Sequence, residues 1–216
     1  MNIAIVGAGN VGKALGVVFT RAGNTVTYAA TSPEHATSAA EAVGGSAARG
    51  VADAARDADI VVIAVPFATA AREVVAELAP VASGRIVIDT TNPLVRDYSR
   101  LDTFGANSAA EWFASALPGA KVVKAFNTLF ASIQANPEAH GLTLDSMYAT
   151  DDADARKTLA ALIRSIGFRP VYVGPLARAR ELEALAFLNI RLQVEAQGSW
   201  NTAINLVAPP EAATRA

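Results

Sequence analysis

The pattern that most constrains the fold is a glycine-rich turn that separates an apolar run from an amphipathic segment. Asn2–Val6 is apolar after its first residue, residues 7–12 are Gly-Ala-Gly-Asn-Val-Gly, and Val11–Ala22 has helical periodicity. A strand, a turn with this glycine spacing and a helix form the first unit of a dinucleotide-binding Rossmann fold. The beginning of the chain therefore predicts an α/β sheet with a nucleotide site at its first turn.

Short apolar runs alternate with helical patterns along the chain, which is typical of a mostly parallel sheet with helices on both faces. The predicted strands are Asn2–Val6, Thr25–Ala29, Ile60–Val65, Arg85–Asp89, Lys121–Phe126, Met147–Thr150 and Pro170–Val173. The predicted helices are Val11–Ala22, Glu34–Val43, Ala68–Leu78, Ala109–Ala116 and Ala153–Ile166. We expect one doubly wound, Rossmann-type α/β domain over residues 1–216, with a core at 1–175 and a C-terminal helical extension at 176–216.

The segment after the last predicted strand, Leu176–Val207, is expected to form one long helix or a pair of helices. Four leucines recur there at helical spacing, namely Leu182, Leu185, Leu188 and Leu192. Such a C-terminal helix would either line an acceptor pocket or pair with a second copy of the chain to make a homodimer. The final residues, Pro209–Ala216, are expected to be frayed.

The composition argues against several classes of site. The 216 residues include no cysteine and only two histidines, His35 and His140, so we expect no disulfide and no metal site. A net charge of -2 without a basic cluster gives no indication of nucleic acid binding. The longest apolar stretch, Ile60–Ala68, is interrupted by Pro66 and is too short to span a membrane, and no targeting leader precedes the first strand. We expect a cytoplasmic protein without nucleic acid or membrane partners.

Each glycine of the first turn has a separate predicted task. Gly7 permits the tight turn, Gly9 lets the backbone approach a pyrophosphate, and Gly12 lets the helix pack closely on the strand. The amides of Asn10 and Val11 at the helix start then face the phosphates with the positive end of the helix dipole. These five residues are the predicted pyrophosphate site.

The end of the second predicted strand favours NADP(H) over NAD(H). NAD sites usually carry an acid there, but Tyr28–Ser32 contains none and the first acid is Glu34. The hydroxyls of Thr31 and Ser32 can donate to a 2′-phosphate, and His35 is the single candidate cation on this loop, since no arginine or lysine lies nearby in sequence. The alternative for Ser32 is that it only caps the following helix.

Three further strand ends are predicted to converge on the crevice where open parallel sheets bind ligands. Small residues after the third strand leave room for a ribose and nicotinamide, while asparagines after the next two can hydrogen-bond a carboxamide or an acceptor ring. The predicted cofactor-binding residues at these ends are Ala64, Val65, Pro66, Thr91, Asn92, Ala125 and Asn127. Alternatively, Asn92 and Asn127 only form turns, and Lys124 is expected to point to solvent. No pair of side chains indicates acid–base catalysis, so no catalytic residue is predicted.

At these residues the chain resembles a known family. The motifs that carry the resemblance, in order, are Gly7–Gly12, Val65-Pro66, Thr91-Asn92-Pro93, residues 122–128 (Val-Val-Lys-Ala-Phe-Asn-Thr) and Gly174-Pro175-Leu176. Together they cover about residues 1–207 and are similar to the NADP oxidoreductases that depend on coenzyme F420, an 8-hydroxy-5-deazaflavin. They are also similar to the oxidoreductase domain of the STEAP metalloreductases.

The resemblance implies hydride transfer between NADP(H) and a flavin-like ring that stacks on the nicotinamide, with Thr31 and Ser32 holding the 2′-phosphate. Family members typically carry an arginine after that serine, where this chain has Pro33. We therefore expect an NADPH-dependent reductase of a deazaflavin or flavin, with this small-molecule redox co-substrate as its partner. Two alternatives remain open: a reductase of a small carbonyl, imine or quinone, and an NADP(H)-sensing module without turnover.

Overall fold

The computed structural model describes residues 1–138 and 140–214. Within these ranges one sheet contains eight strands, in the spatial order β3-β2-β1-β4-β5-β6-β7-β8. They are β1 (Asn2–Val6), β2 (Thr25–Ala29), β3 (Ser46–Ala47), β4 (Ile60–Ile63), β5 (Ile86–Asp89), β6 (Lys121–Ala125), β7 (Asp145–Thr150) and β8 (Arg169–Gly174). Neighbouring strands are parallel except for β6 and β7. The predicted doubly wound, mostly parallel sheet is confirmed.

The helices lie between and after these strands. They are α1 (Asn10–Arg21), α2 (Pro33–Val43), α3 (Val51–Ala55), α4 (Phe67–Leu78), α5 (Ala109–Ala116), α6 (Ala131–Ala135), α7 (Ala153–Ser165), α8 (Ala179–Ala196) and α9 (Glu211–Thr214). Single 3₁₀ turns follow α4, at Ala79–Val81, and precede α8, at Leu176–Arg178. The sequence does not predict β3, α3 or α6, because elements of two to five residues are too short to show a periodic pattern.

The sheet separates two apolar layers, which explains why its central strands are apolar at every position. Along β1, Ile3 and Ile5 pack on the same side as Phe19 of α1, whereas Ala4 and Val6 pack on the opposite side with Phe67 of α4. A strand covered on both faces has no solvent-facing position for a polar residue.

The chain reverses its direction of travel across the sheet beside β1. It passes from β1 to β2 and β3 on one side, then crosses to β4 on the other. The residues that follow these strands are joined by main-chain hydrogen bonds, from Gly7 N to Ala29 O at 2.8 Å and from Ala64 N to Val6 O at 2.8 Å. A crevice at such a switch point is the usual ligand site of this architecture.

The C-terminal segment is less helical than predicted. The helix expected over Leu176–Val207 ends at Ala196, because Gln197 adopts the left-handed conformation (φ 48°) and Gly198 N donates to Gln193 O at 2.9 Å. The following residues have no helical structure and reach the start of β7, where Leu206 N donates to Asp145 Oδ2 at 2.7 Å. Conversely, α9 lies within the segment that was expected to be frayed. A helical extension is present, but its continuous part is α8.

Of the helices that the structure describes, none combines the length and the apolar character needed to cross a bilayer.

Candidate functional site

A cavity of about 750 Å³ lies at the carboxyl ends of β1, β2 and β4. Pockets of several hundred cubic ångströms are typical of sites for small molecules and cofactors. The cavity brings together eight of the predicted site residues: Gly7, Gly9, Asn10, Thr31, His35, Ala64, Val65 and Pro66. Residues distant in sequence thus form one continuous surface beside the glycine turn.

The three glycines of the turn differ in the space around them. A Cβ atom on Gly7, which has φ +113°, would lie 2.2 Å from Ala64 O, and one on Gly12 would lie 2.0 Å from Gly7 O. A Cβ atom on Gly9 would meet nothing within 4 Å. Gly7 and Gly12 are therefore required by the fold, whereas Gly9 leaves an open space at the cavity wall.

The first turn of α1 supplies hydrogen-bond donors at this open space. Its N-cap residue is Gly9, and no side chain caps the helix. The first main-chain N–H groups of a helix have no partner within the helix, and the helix dipole makes this end attractive to anions. The uncapped turn and the vacant Cβ position fit the diphosphate of a dinucleotide.

The Tyr28 side chain stabilises the end of the glycine turn, a role that the sequence does not reveal. Its hydroxyl donates a hydrogen bond to Gly12 O at 3.0 Å, and burial raises the pKa of Tyr28 to about 12. A Cβ atom on Gly16 would lie 1.7 Å from that hydroxyl oxygen, so glycine at this position gives the tyrosine its space. The protonated side chain holds the backbone of α1 just after the turn.

Ser32 caps α2, as the alternative interpretation proposed. Its Oγ accepts a hydrogen bond from His35 N at 3.3 Å and donates one to Glu34 Oε2 at 2.6 Å. Ser32 does not line the cavity, whereas Thr31 and His35 do, and both have exposed side chains. Binding of a 2′-phosphate by Ser32 stays a prediction.

The cavity also contains charged residues that the sequence analysis did not place there. Arg49 arrives from the connection between β3 and α3, and Lys13 arrives from α1. Glu73 and Glu77 contribute from α4, and Glu77 Oε2 accepts a hydrogen bond from Val51 N at 2.9 Å. Arg49 was missed because it follows a two-residue strand that has no sequence signature.

The strand ends after β5 and β6 do converge, but they contact each other rather than the cavity. Asn127 Nδ2 donates to Asn92 Oδ1 and to Leu182 O of α8, both at 3.0 Å, and Asn92 Nδ2 donates to Asn127 O at 3.0 Å. Asn127 Oδ1 is buried without a hydrogen-bond partner. Among the predicted nicotinamide residues, Thr91, Asn92, Ala125 and Asn127 do not line the cavity, and their contact with the ring stays a prediction.

The expectation that Lys124 points to solvent is wrong. Its side chain is 0% exposed, and Nζ lies 2.8 Å from Asp89 Oδ2 and 2.8 Å from Glu183 Oε1. Nζ also donates to Thr91 O at 2.6 Å. The cause is the position of β6 inside the sheet, where it is flanked by β5 and β7. A charge that is buried in this way requires opposite charges beside it.

The electrostatics of this cluster keep Lys124 charged. Burial alone lowers the pKa of Lys124, but Asp89 and Glu183 together outweigh burial, so the pKa lies above its ordinary value. Burial raises the pKa of Glu183, and Lys124 opposes that effect. The negative charge of Glu183 is also stabilised by the start of α5, where Ala109 N donates to Glu183 Oε1 at 3.0 Å. The cluster ties α8 and α5 to the sheet.

A second cavity, of about 790 Å³, adjoins the first along α1. Asn10 and Lys13 line both cavities, and Val11, a predicted pyrophosphate residue, lines only the second. Tyr98, Phe130 and Trp200 give it an aromatic wall. The remaining lining residues are Ala14, Val17, Ala131, Ser132, Ala135 and Ser199. The rings of Phe130 and Trp200 pack edge to face with centroids 5.3 Å apart. The segment after α8 contributes to this wall through Trp200, and the lining of an acceptor pocket by the C-terminal helix stays a prediction.

Across the described ranges, no group of three or more acidic or histidine side chains is arranged to hold a metal ion.

The glycine turn and the strands around it are similar to a recognised sequence family. Residues 2–93 match the family described as NADP oxidoreductase, coenzyme F420-dependent. The metalloreductase STEAP3 of Rattus norvegicus is 37% identical over 109 residues, which are 50% of this chain and 21% of that protein. The matched part of this chain thus covers only about a fifth of the length of that relative.

Two solved structures extend the similarity beyond residue 93. A candidate F420-dependent NADP-reductase from Arthrobacter sp. FB24 superimposes with a TM-score of 0.85 at 27% identity, over 95% of this chain and 100% of that one. A hypothetical protein from Sinorhizobium meliloti superimposes with a TM-score of 0.71 at 33% identity, over 82% of this chain and 86% of that one. The resemblance predicted from the motifs is confirmed.

Proposed function

Because residues 2–93 match the family of coenzyme F420-dependent NADP oxidoreductases, we propose that this chain transfers a hydride between NADP(H) and a deazaflavin (coenzyme F420) or a flavin. The observation that carries the proposal is the pair of adjoining cavities that share Asn10 and Lys13. One cavity has the features of a dinucleotide site, and the other has an aromatic wall. Two cofactors that exchange a hydride need two adjoining sites.

In the first cavity, the diphosphate would lie against the backbone at Gly9 and the uncapped start of α1. Thr31 and His35 would face the adenosine end, since both follow β2. The nicotinamide, which supplies or accepts the hydride when bound, would extend toward Ala64, Val65 and the ends of β5 and β6. The protein's contribution is to bind and orient the dinucleotide and to keep water from the reacting ring.

In the second cavity, the aromatic side chains suit a flat ring. Tyr98 and Trp200 are 44% and 40% exposed, and both face the cavity with Phe130. Offset stacking and edge-to-face contacts with such side chains stabilise a bound aromatic molecule. Lys13, on the border of the two cavities, supplies a positive charge for an anionic ring or phosphate.

The aromatic wall of the second cavity favours transfer between two rings over reduction of a carbonyl or imine, because it suits a flat ring. Such a reduction needs a proton donor within hydrogen-bond reach of the substrate. Lys124 has a suitable chemistry, but it is fully buried, contacts Asp89 and Glu183, and lines neither cavity. Hydride exchange between two redox rings depends mainly on positioning.

Turnover assays test the proposal. The purified protein is mixed with NADPH and, in separate reactions, deazaflavin, FMN, FAD or riboflavin under anaerobic conditions, and the absorbance of both partners is followed. We expect stoichiometric oxidation of NADPH and reduction of at least one ring. NADPH oxidation with small carbonyls, imines or quinones alone would reject the proposal in favour of the small-substrate reductase. Tight NADPH binding without turnover on any acceptor would favour the sensing module.

Thr31→Asp should shift the preference from NADP(H) toward NAD(H). A carboxylate after β2 repels a 2′-phosphate and accepts a hydrogen bond from an unmodified ribose. We expect the ratio of NADPH to NADH affinity to fall at least about tenfold, which corresponds to about 1.4 kcal/mol. Titration calorimetry with both nucleotides measures the ratio, with Thr31→Val as the uncharged control. An unaltered ratio would mean that the 2′-phosphate is bound elsewhere.

The exposed face of α8 supports the homodimer that the leucine pattern suggested. Leu182 is buried, whereas Leu188 and Leu192 are each 56% exposed. We propose that these two leucines contact a second copy of the chain, because exposed neighbouring leucines favour burial in an interface. The molar mass in solution, measured by light scattering, distinguishes a dimer from a monomer.

A further inference from the structure

Among the described residues that line the first cavity, Arg49 is the one arginine. It lies in the loop between β3 and α3, and the fold places this loop beside the end of β2. β2 and β3 are parallel, with Tyr28 opposite Ala47, and Ala48 N donates to Tyr28 O at 2.8 Å. Residues just after β3 must therefore lie next to residues just after β2. Arg49 and Thr31 line the same cavity as a result.

The guanidinium of Arg49 is free to turn toward a ligand. The side chain is 91% exposed, and its Nε lies 3.5 Å from Asp53 Oδ2, a separation typical of a weak surface pair. Asp53 has a second partner, because its Oδ1 accepts a hydrogen bond from Arg56 Nη1 at 3.1 Å. If Arg49 turned away from Asp53, the Asp53 carboxylate would therefore still be paired with Arg56.

The charges around this end of the cavity make a cation there necessary for a phosphate. Glu34 lies at the start of α2, and Glu73 and Glu77 lie on α4. Ser32 donates to Glu34 and accepts from His35 N, so its hydroxyl is already engaged in the cap. Pro33, at the first position of α2, supplies neither a charge nor a side-chain donor.

We propose that Arg49 binds the 2′-phosphate of NADP(H) and sets the preference of this chain for NADP(H) over NAD(H). The assignment rests on the proposed function, in that a dinucleotide must occupy the first cavity. The planar guanidinium presents two parallel N–H donors that match the oxygens of a phosphate. Arg49 brings from the loop after β3 a positive charge that residues 30–34, after β2, do not supply.

The test compares Arg49→Gln with Arg56→Gln. The two arginines share the partner Asp53, but Arg56 does not line the cavity. We expect Arg49→Gln to weaken NADPH binding about 10- to 100-fold, as loss of a charge-assisted hydrogen bond predicts, and to leave NADH binding within about twofold. Arg56→Gln should leave both affinities at the wild-type values. Titration calorimetry supplies the dissociation constants, and thermal melts show that both variants are folded.

Two results would overturn the Arg49 assignment alone: unchanged NADPH affinity in Arg49→Gln, or equal weakening of NADPH and NADH. A competition experiment with adenosine nucleotides that carry or lack a 2′-phosphate gives a second readout. The wild type should discriminate between them, and Arg49→Gln should not. Failure of the wild-type protein to bind either NADPH or NADH would instead reject the proposed function, and the Arg49 assignment with it.

Discussion

Gly9→Val should bind NADPH at least about 100-fold more weakly than the wild type while it keeps the wild-type melting temperature. The branched side chain would occupy the open space in which the diphosphate approaches the backbone. Loss of two charge-assisted hydrogen bonds, each worth about 1.5 to 3 kcal/mol, accounts for an effect of this size. Calorimetry with NADPH and a thermal melt measure the two quantities.

Gly12→Val is the matched control, because this substitution should destabilise the fold itself. Its Cβ atom would lie 2.0 Å from Gly7 O, so the close packing of α1 on β1 is lost and the protein should be unstable. If Gly9→Val retained wild-type NADPH affinity, the diphosphate would not lie at this turn. Unfolding of Gly9→Val would mean that the space around Gly9 is not open.

Lys124→Met should lower the free energy of unfolding by about 3 to 5 kcal/mol, because removing one partner of a buried ion pair leaves the other charges uncompensated. Asp89 and Glu183 would stay buried without their cation. Urea unfolding followed by circular dichroism measures the difference. Lys121→Met, on the same strand, is the control. Lys121 is 32% exposed and pairs with Asp152 and Asp154 near the surface, so its loss should cost less than about 1 kcal/mol.

The stability defect of Lys124→Met should lessen as the pH falls. Without the ammonium, burial holds the pKa of Glu183 above its value in the unfolded chain, so the folded state binds a proton more tightly. Stability gained from that proton is present at low pH and is lost as the pH rises through the raised pKa. The difference from the wild type should therefore be larger at pH 7 than at pH 5. A defect that grows on acidification would contradict this account.

The fold was predictable wherever the pattern of residues was long or chemically specific. The turn at residues 7–12 and the apolar strand before it predicted the first unit of the sheet, and Ser32-Pro33 marked the start of α2. The end of α8 was missed, although Gly198 lies two residues after Ala196 and a glycine after a helical pattern is a stop signal. What stops the helix is the left-handed turn at Gln197, directly before that glycine.

Some residues of the candidate site could likewise be predicted from the sequence, and others could not. Residues next to the glycine turn or next to β2 could be assigned from sequence, because the fold alone determines which strand ends meet. Arg49 could not, because its position depends on the two-residue strand β3. Lys124 carried a signal, in that a lysine within an apolar central strand requires a buried anion, and Asp89 ends the neighbouring strand in register with it. Glu183 had none, since it lies in a helix about sixty residues further along the chain.

The reversed direction of β7 and β8 decides which end of the sheet α8 approaches. Because β7 is antiparallel to β6, and β8 is parallel to β7, β8 finishes away from the nucleotide end, where Leu176 N contacts Asp151 just past β7. α8 then travels back toward the glycine turn and delivers Trp200 to Phe130. If β7 and β8 had the orientation of the other strands, α8 would lead away from the second cavity. That cavity would then lack the part of its wall that Trp200 forms. The inverted pair of strands thus determines which residues form the aromatic wall of the second cavity.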